Sequence, residues 1–223
     1  MDSFADRRAK MVDRQLRRRG ITDERVLATM ADVPRELFVP EGIRRRSYAD
    51  EALPIGSGQT ISQPWIVAAT LEGLALKGGE RVLEVGGGSG YTAALLVRLA
   101  AHVTSVELVP ELVAAARRAL ILAGADLDRI ELVNGDGSAG YPPGAPYDAI
   151  ALHAAVPGEP STALRQLTPG GHLVAPVAAG GAETLTVYWR DPGGAERFGS
   201  KPIAACRFVP MLGAEGFPGS DPV

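Results

Sequence analysis

Residues 82–91 read VLEVGGGSGY, an apolar segment that carries an acid and continues into a glycine cluster. Glu84, Gly86, Gly88 and Gly90 form the pattern E-x-G-x-G-x-G. Glycines at this spacing let the chain turn sharply out of a strand and bring its backbone close to a ligand. The segment therefore predicts a strand, a ligand-binding loop and a following helix.

A second acid, Glu107, ends the next apolar run, VTSVE, 21 residues after Gly86. In a strand–loop–helix–strand unit this position is the tip of the second strand, where an acid can bind both hydroxyls of a ribose. The two acids and the glycine loop together predict a ligand that contains a nucleoside.

The spacing also discriminates between nucleoside ligands. The dinucleotide fingerprint G-x-G-x-x-G would place its third glycine at Tyr91, and no G-K-[ST] of a P-loop follows. Glu84 would repel a pyrophosphate but suits a cation such as the ammonium group of S-adenosylmethionine. S-adenosylmethionine is therefore the predicted cofactor, with a plain turn as the alternative for the glycine run alone.

Downstream of the loop, apolar strands alternate with amphipathic helices. Strands are expected near 81–85, 103–107, 130–134, 148–153 and 172–177. Helices are expected near 89–101, 110–124 and 160–167, and two late strands near 183–190 and 203–209. The pattern predicts an α/β fold with a Rossmann-like, mostly parallel, doubly wound sheet and antiparallel C-terminal strands. Because ligands bind outside the carboxyl ends of such strands, Glu84, Glu107, Asp136 and His153 should share one edge.

The predicted organisation is a helical segment over residues 1–78, a cofactor-binding domain over 79–213 and a disordered tail over 214–223. In the first segment, helices are expected near 4–19, 23–32 and 64–76, with Thr22 as the N-cap of the second. Residues 34–42 predict a loop, and 47–64 an irregular polar stretch that holds a candidate active-site loop at 55–64.

Composition limits the partners. The net charge of −3 gives no general nucleic-acid footprint. The basic clusters Arg17–Arg19 and Arg44–Arg46 fit solvated helix faces, with attraction of acidic peptides as the alternative. The N-terminus has no apolar signal region, and no apolar run approaches the roughly 20 residues of a spanning helix. The single Cys206 excludes an internal disulfide, so the sequence predicts a cytoplasmic monomer without nucleic-acid or membrane partners.

Two polar segments supply further candidate site residues. In Asn134-Gly135-Asp136-Gly137 the glycine backbone can lie against a flat ring and Asp136 can accept from the exocyclic amine of adenine, although NGDG is also strong turn chemistry. In IGSGQTISQP, residues 55–64, Ser62 belongs to a site or, like Thr60, caps the helix that begins at Pro64. The scattered histidines and the missing G-x-S-x-G argue against a serine nucleophile, and no Cys/His cluster predicts a metal site.

Taken in order, these segments resemble the protein-L-isoaspartate (D-aspartate) O-methyltransferase family. The most specific is IGSGQTISQP; residues 11–41, VLEVGGGSGY, VELVPEL, NGDG, APYDAI, LTPGG and RFVPMLG occur in the family's order. The resemblance implies a Rossmann-like methyltransferase fold with N- and C-terminal additions. It also implies S-adenosylmethionine as methyl donor and the carboxylate of an L-isoaspartyl residue in a protein or peptide as acceptor.

The resemblance assigns roles to individual positions. It implies that Ser62 is the active-site residue and that Gln59, Thr60 and Ile61 border cofactor and substrate. The implied cofactor contacts are Gly86, Gly88, Gly90, Glu107, Leu108, Asp136 and Gly137. The segment around Val209–Leu212 is expected to fold back over the cofactor.

The sequence departs from the family pattern at four places. Ser57 stands where a larger residue is common, and residues 65–67 replace a histidine-containing stretch of some members. Gly87 stands where threonine or serine is usual, and His153 replaces a frequent threonine or glycine in the segment that faces the substrate. These departures leave open a methyltransferase of the same fold that acts on aspartate in a dedicated peptide or on a small carboxylate. A catalytically inactive cofactor-binding module is the alternative from another class, and the intact QTIS, Glu107 and NGDG argue against it.

Overall fold

The computed structural model describes residues 2–194 and 196–217. It begins with a helical segment in which α1 spans Phe4–Met11, a π-helical turn spans Val12–Leu16 and a 3-10 turn spans Arg17–Arg19. The predicted helix over 4–19 is thus helical throughout, but changes type along its length.

Helix α2 spans Glu24–Asp32. Its N-cap is Asp23 rather than the predicted Thr22, because the Asp23 carboxylate accepts from the first backbone N–H groups of the helix. Thr22 instead donates its backbone N–H and its hydroxyl to Glu72.

Residues 35–63 contain more regular structure than the sequence predicted. Short 3-10 turns span Arg35–Phe38 and Glu41–Arg46 where a loop was expected. Strands β1, Leu53–Gly56, and β2, Gln59–Ile61, pair as an antiparallel hairpin where an irregular stretch was expected. Ser57 and Gly58 both have positive φ, the geometry of a tight hairpin turn, and the strands are too short to show a period of two. Helix α3 follows at Pro64–Gly73 and ends three residues before the predicted 76.

The α/β unit occupies the rest of the described chain. Its strands are β3 Arg81–Val85, β4 His102–Glu107, β5 Ile130–Asn134, β6 Tyr147–Leu152, β7 Leu167–Ala179, β8 Ala182–Arg190 and β9 Phe198–Ala205. Its helices are α4 Tyr91–Leu99, α5 Pro110–Leu122 and α6 Ser161–Leu164. Among the described residues, no helix is long and apolar enough to cross a membrane.

The strands form one seven-stranded sheet in the order β5-β4-β3-β6-β7-β8-β9. The first five are parallel, whereas β7, β8 and β9 pair antiparallel. This arrangement confirms the predicted fold class: a mostly parallel α/β sheet with antiparallel C-terminal strands.

The predicted bounds fail near the C-terminus. Strand β7 is 13 residues long and begins at Leu167, which leaves only four residues of helix in α6 instead of the predicted 160–167. Strand β9 pairs with β8 over 198–205, so residues 206–209 leave the sheet instead of extending it as predicted. In the predicted disordered tail, Ala214 and Glu215 donate their backbone N–H groups to Asp136 and Ser138, and residues 218–223 lie outside the described residues.

Both faces of the central sheet are buried, as a parallel sheet requires. On one face, Val82 joins a cluster that contains Leu27 from α2 and Leu95 from α4. On the other face, Leu83 joins a separate cluster that contains Leu164 from α6. The N-terminal helices therefore share a core with the sheet and leave the carboxyl edge of its strands open to a ligand.

Candidate functional site

The glycine loop connects β3 to α4 at the carboxyl edge of the sheet. Gly86 and Gly88 have φ values of 80° and 52°, which L side chains rarely adopt. The Gly86 N–H donates to the Val106 carbonyl at 2.9 Å, so the loop stays against the neighbouring strand. Gly90 lies behind the loop, where a Cβ would come within 3.0 Å of Ala116 Cβ on α5.

Glu107, at the tip of β4, holds the loop and faces the cavity beside it. Its Oε2 accepts from the Gly88 N–H at 2.8 Å and its Oε1 from the Val109 N–H at 2.9 Å. A carboxylate offers about four acceptor sites, so two remain for the hydroxyls of a ribose. The geometry at Glu107 thus fits a nucleoside.

Glu84 lies beneath the loop and is fully buried. The Ser105 hydroxyl donates to Glu84 Oε2 at 2.5 Å, whereas Oε1 has no hydrogen bond among the described residues. Nε2 of His153 lies 3.4 Å from Oε1. Glu84 is therefore covered by the loop backbone rather than placed in the cavity wall.

In the NGDG segment, Gly137 and Asp136 have different roles. Gly137 lines the cavity, and a Cβ there would lie 2.7 Å from Val85 Cγ1, so only glycine fits. Asp136 points to the C-terminal segment, where its carboxylate accepts from the Ser138 and Ala214 N–H groups, both at 2.8 Å. Partial burial disfavours its charge, but these backbone hydrogen bonds outweigh it and lower the pKa of Asp136.

The β1–β2 hairpin brings Ser62 to the same cavity. Helix α3 has Gln63 as its N-cap, with no side-chain capping hydrogen bond, so neither Ser62 nor Thr60 caps it. The Ser62 hydroxyl forms no hydrogen bond within the described part of the chain and lines the cavity. The Ser62 backbone carbonyl accepts from Arg35 Nη2 at 2.7 Å.

Arg35 supports the site from behind, and no sequence pattern singled it out. Its side chain is fully buried, and its Nε donates to the Ser47 carbonyl at 2.7 Å. The guanidinium lies 4.9 Å from the ring centroid of Tyr91, the first residue of α4. Burial lowers its pKa, although an arginine stays protonated. Arg35 thereby joins the Ser62 strand to the helix that follows the glycine loop.

These elements enclose a cavity of about 820 Å³, including its open mouth, which lies in the range of small-molecule sites. The predicted residues that line it are Gln59, Thr60, Ile61, Ser62, Gly86, Gly88, Glu107, Leu108 and Gly137. The predicted residues Glu84, Gly90 and Asp136 stand behind its wall. Val209–Leu212 closes one side, and Met211 donates its N–H to the Ala155 carbonyl at 2.8 Å.

A second cavity adjoins the first and opens beside the segment that follows β9. Its lining includes Ala52, Gln63 and Ile66 from the hairpin side and residues 205–209 from the other. The two cavities share Thr60, Ser62, His153 and Val209. Within the described ranges, no group of three or more His, Cys, Asp or Glu residues could hold a metal ion.

The family model described as Protein-L-isoaspartate(D-aspartate) O-methyltransferase matches residues 6–216. The chain belongs to this family. It is 50% identical over 212 residues to the protein-L-isoaspartate O-methyltransferase of Methanoculleus marisnigri, covering 95% of this chain and 94% of that one. It is 48% identical over 216 residues to protein-L-isoaspartate O-methyltransferase 1 of Rhodopseudomonas palustris, covering 96% and 86%.

Solved structures of the protein-L-isoaspartate O-methyltransferase family share the fold. One superposes with a TM-score of 0.80 at 28% identity, over 93% of this chain and 66% of the longer solved chain. A second, a proposed protein-L-isoaspartate O-methyltransferase from Plasmodium falciparum in complex with S-adenosyl-L-homocysteine, gives a TM-score of 0.78 at 23% identity. It covers 92% of this chain and 97% of the Plasmodium chain.

Proposed function

We propose that this protein transfers a methyl group from S-adenosylmethionine to the free carboxylate of L-isoaspartyl or D-aspartyl residues in damaged proteins and peptides. The observation that carries the proposal is the junction of the two cavities. The glycine loop and Glu107 line one cavity, a second cavity opens to the surface, and Ser62 belongs to both. Such a junction lets a donor and a peptide acceptor meet at one point.

The first cavity fits the cofactor. Glu107 would accept from the ribose hydroxyls, and Leu108 and Gly137 would border the adenine. Gly86 and Gly88 would bring backbone against the methionine portion, and Glu84 would favour its ammonium group from beneath the loop. S-adenosylmethionine supplies an electrophilic methyl group on a sulfonium.

Asp136 and Gly90 contribute to this proposed site from behind. Asp136 holds the C-terminal segment that closes the cavity, and Gly90 allows the loop to pack on α5. Their placement supports the binding site without a direct contact between the Asp136 carboxylate and the cofactor.

The acceptor needs little chemical activation. A free carboxylate has a pKa near 4, so it is already ionised at pH 7 and needs no general base. Ser62 would orient it by a hydrogen bond, while Gln59, Thr60 and Ile61 line the path between the two cavities. Positioning of this kind supplies about 7–11 kcal/mol towards the barrier. Outside the enzyme, the neighbouring backbone amide nitrogen attacks the methyl ester and methanol leaves, which closes a succinimide. Hydrolysis of the succinimide returns part of the material to normal aspartate.

We also propose that the protein acts as a monomer in the cytoplasm. Residues of a single chain line both cavities, so a monomer suffices for the activity. The lone Cys206 is a free thiol, which fits a reducing compartment such as the cytoplasm.

The test uses labelled S-adenosylmethionine and two peptides that differ only in aspartate versus isoaspartate at one position. We expect base-labile label on the isoaspartyl peptide alone. Equal labelling of both peptides would contradict the acceptor assignment. Cofactor binding without labelling of either peptide would favour the inactive module or a dedicated substrate.

A further inference from the structure

His153 lies at the boundary of the two cavities. It follows β6 directly, and its backbone N–H donates to the Val85 carbonyl at 2.9 Å. Its side chain is 11% exposed and lines both the cofactor cavity and the adjoining cavity that also contains Ser62. The ring is thus close to the point where donor and acceptor meet.

The buried carboxylate of Glu84 lies behind the ring, on the side away from the cavities. Nε2 of His153 is buried and lies 3.4 Å from Glu84 Oε1, and neither atom has a hydrogen bond in the described part of the chain. The other carboxylate oxygen of Glu84 already accepts from Ser105. If Nε2 carries an N–H that faces this carboxylate, Nδ1 is left for a molecule in the cavities.

We propose that His153 is a residue of the acceptor subsite, which donates Nδ1–H from its protonated ring to the acceptor carboxylate beside Ser62. This inference rests on the proposed function. When the ring loses its proton, Nδ1 carries a lone pair and repels a carboxylate.

The other polar and charged groups that line the adjoining cavity keep the same charge between about pH 5 and 8. The hairpin contributes Thr60, Ser62 and Gln63, which are uncharged. The segment after β9 contributes the exposed Arg207 and the thiol of Cys206, whose pKa burial raises to about 11.

Across the first cavity, Glu107 is held by two backbone N–H groups. Of the residue types that line both cavities, histidine is the one that ordinarily changes charge between about pH 5 and 8. A pH dependence of acceptor binding over this range would therefore report on the ring.

The test measures kcat and the KM for an isoaspartyl peptide between about pH 5 and 8. In the wild-type enzyme we expect the peptide KM to rise with pH. His153→Ala should raise the KM at the acidic end by roughly tenfold, the loss of one charge-assisted hydrogen bond, and remove its pH dependence. His153→Asn, which keeps a neutral donor near the Nδ1 position, should recover part of the affinity without the pH dependence. His102→Gln, at the far end of β4, is the control and should keep the wild-type profile.

A second measurement follows the imidazole of His153 by NMR, assigned among the three histidines by the variants. Adding the isoaspartyl peptide to the enzyme with S-adenosylhomocysteine should raise the titration midpoint of His153. If the wild-type enzyme methylates the peptide but His153→Ala keeps the wild-type dependence of the peptide KM on pH, the role of His153 is overturned and the proposed function stands. Absence of both peptide binding and methylation would overturn the proposed function and this inference with it.

Discussion

At the residue scale, Gly87 and Ser105 share one small space beneath the glycine loop. A Cβ built at Gly87 would lie 2.3 Å from Ser105 Oγ and 3.5 Å from Glu84 Oε2. The Ser105 hydroxyl thus occupies the volume that a side chain at position 87 would need, and it provides the hydrogen bond to Glu84. Because the Ser105 hydroxyl on β4 fills this space, a hydroxyl side chain does not fit at position 87 of the loop.

This arrangement predicts strong coupling between the two positions. Gly87→Ser alone should destabilise the protein by about 1–3 kcal/mol, because it overpacks a buried region. Ser105→Ala alone should also destabilise it, since a buried carboxylate oxygen loses its donor. The double variant should cost less than the sum, with a coupling of about 0.5–3 kcal/mol. Denaturant unfolding of the four proteins measures this coupling, and simple additivity would contradict the shared-space argument.

Ser62 carries the second prediction at this scale. Ser62→Ala should lower turnover roughly 10–100-fold, equivalent to about 1.5–3 kcal/mol for one hydrogen bond to a charged group. Melting temperature and cofactor affinity should change little, because the hydroxyl has no partner among the described residues and Gln63 is the N-cap of α3. Complete loss with a trappable adduct in the wild type would indicate covalent catalysis, and lower stability with full turnover would contradict the assignment.

The sequence predicted the position of each strand-end acid better than the direction of its side chain. Glu107 ends a strand next to a glycine loop, and both facts are visible as a pattern. Asp136 also follows a strand, but its carboxylate binds Ala214, 78 residues later, and no local pattern encodes that contact. Arg35 was not predicted, because a single arginine in an expected loop gives no sign that it is buried.

At the element scale, Arg35 connects two irregular segments to the first residue of α4. It bonds to the carbonyls of Ser47 and Ser62 and stacks on Tyr91, so the turn, the hairpin strand and α4 meet on one guanidinium. The long periodic elements of the α/β unit were predictable from hydrophobic spacing alone. The hairpin was not, because β2 has only three residues and its position depends on this buried contact.

Arg35→Met tests this connection, because methionine fills similar space without donors. Each carbonyl left unpaired should cost about 1–3 kcal/mol of unfolding free energy. The KM for the isoaspartyl peptide should rise because the Ser62 strand loses its anchor, while cofactor affinity should change less because Glu107 still holds the loop. Arg14→Met, on the exposed face of the first helical segment, is the matched control. An equal loss of peptide and cofactor affinity would mean that Arg35 supports the whole fold and not the hairpin in particular.

At the scale of the whole molecule, the chain closes on itself around the cofactor cavity. Residues 209–212 line the cavity after the chain has left β9. Ala214 and Glu215 then donate their backbone N–H groups to the Asp136 carboxylate and the Ser138 hydroxyl. At Gly213 the backbone passes so close to Asp136 that a Cβ would lie 2.1 Å from Oδ1. The Asp136 carboxylate and the Ser138 hydroxyl thus hold the segment after β9 against the segment after β5.

Asp136→Asn should loosen this closure, because an amide has one acceptor oxygen where the carboxylate uses two. Hydrogen exchange over residues 209–216 should become faster and the cofactor should dissociate faster, while exchange in β3 and β4 stays slow.

In the wild type the pKa of Asp136 is lowered on folding, so its stabilising contribution is complete above the ordinary value of 3.8 and is lost as the pH falls through the folded pKa. The amide resonance of Ala214 should therefore shift only in acid, whereas in Asp136→Asn it should already be displaced at neutral pH. Asp128→Asn changes an exposed carboxylate and is the control, which should match the wild type. Unchanged hydrogen exchange over 209–216 in Asp136→Asn would contradict the prediction. It would show that Val209–Leu212 is held by its contacts with Ala155 instead.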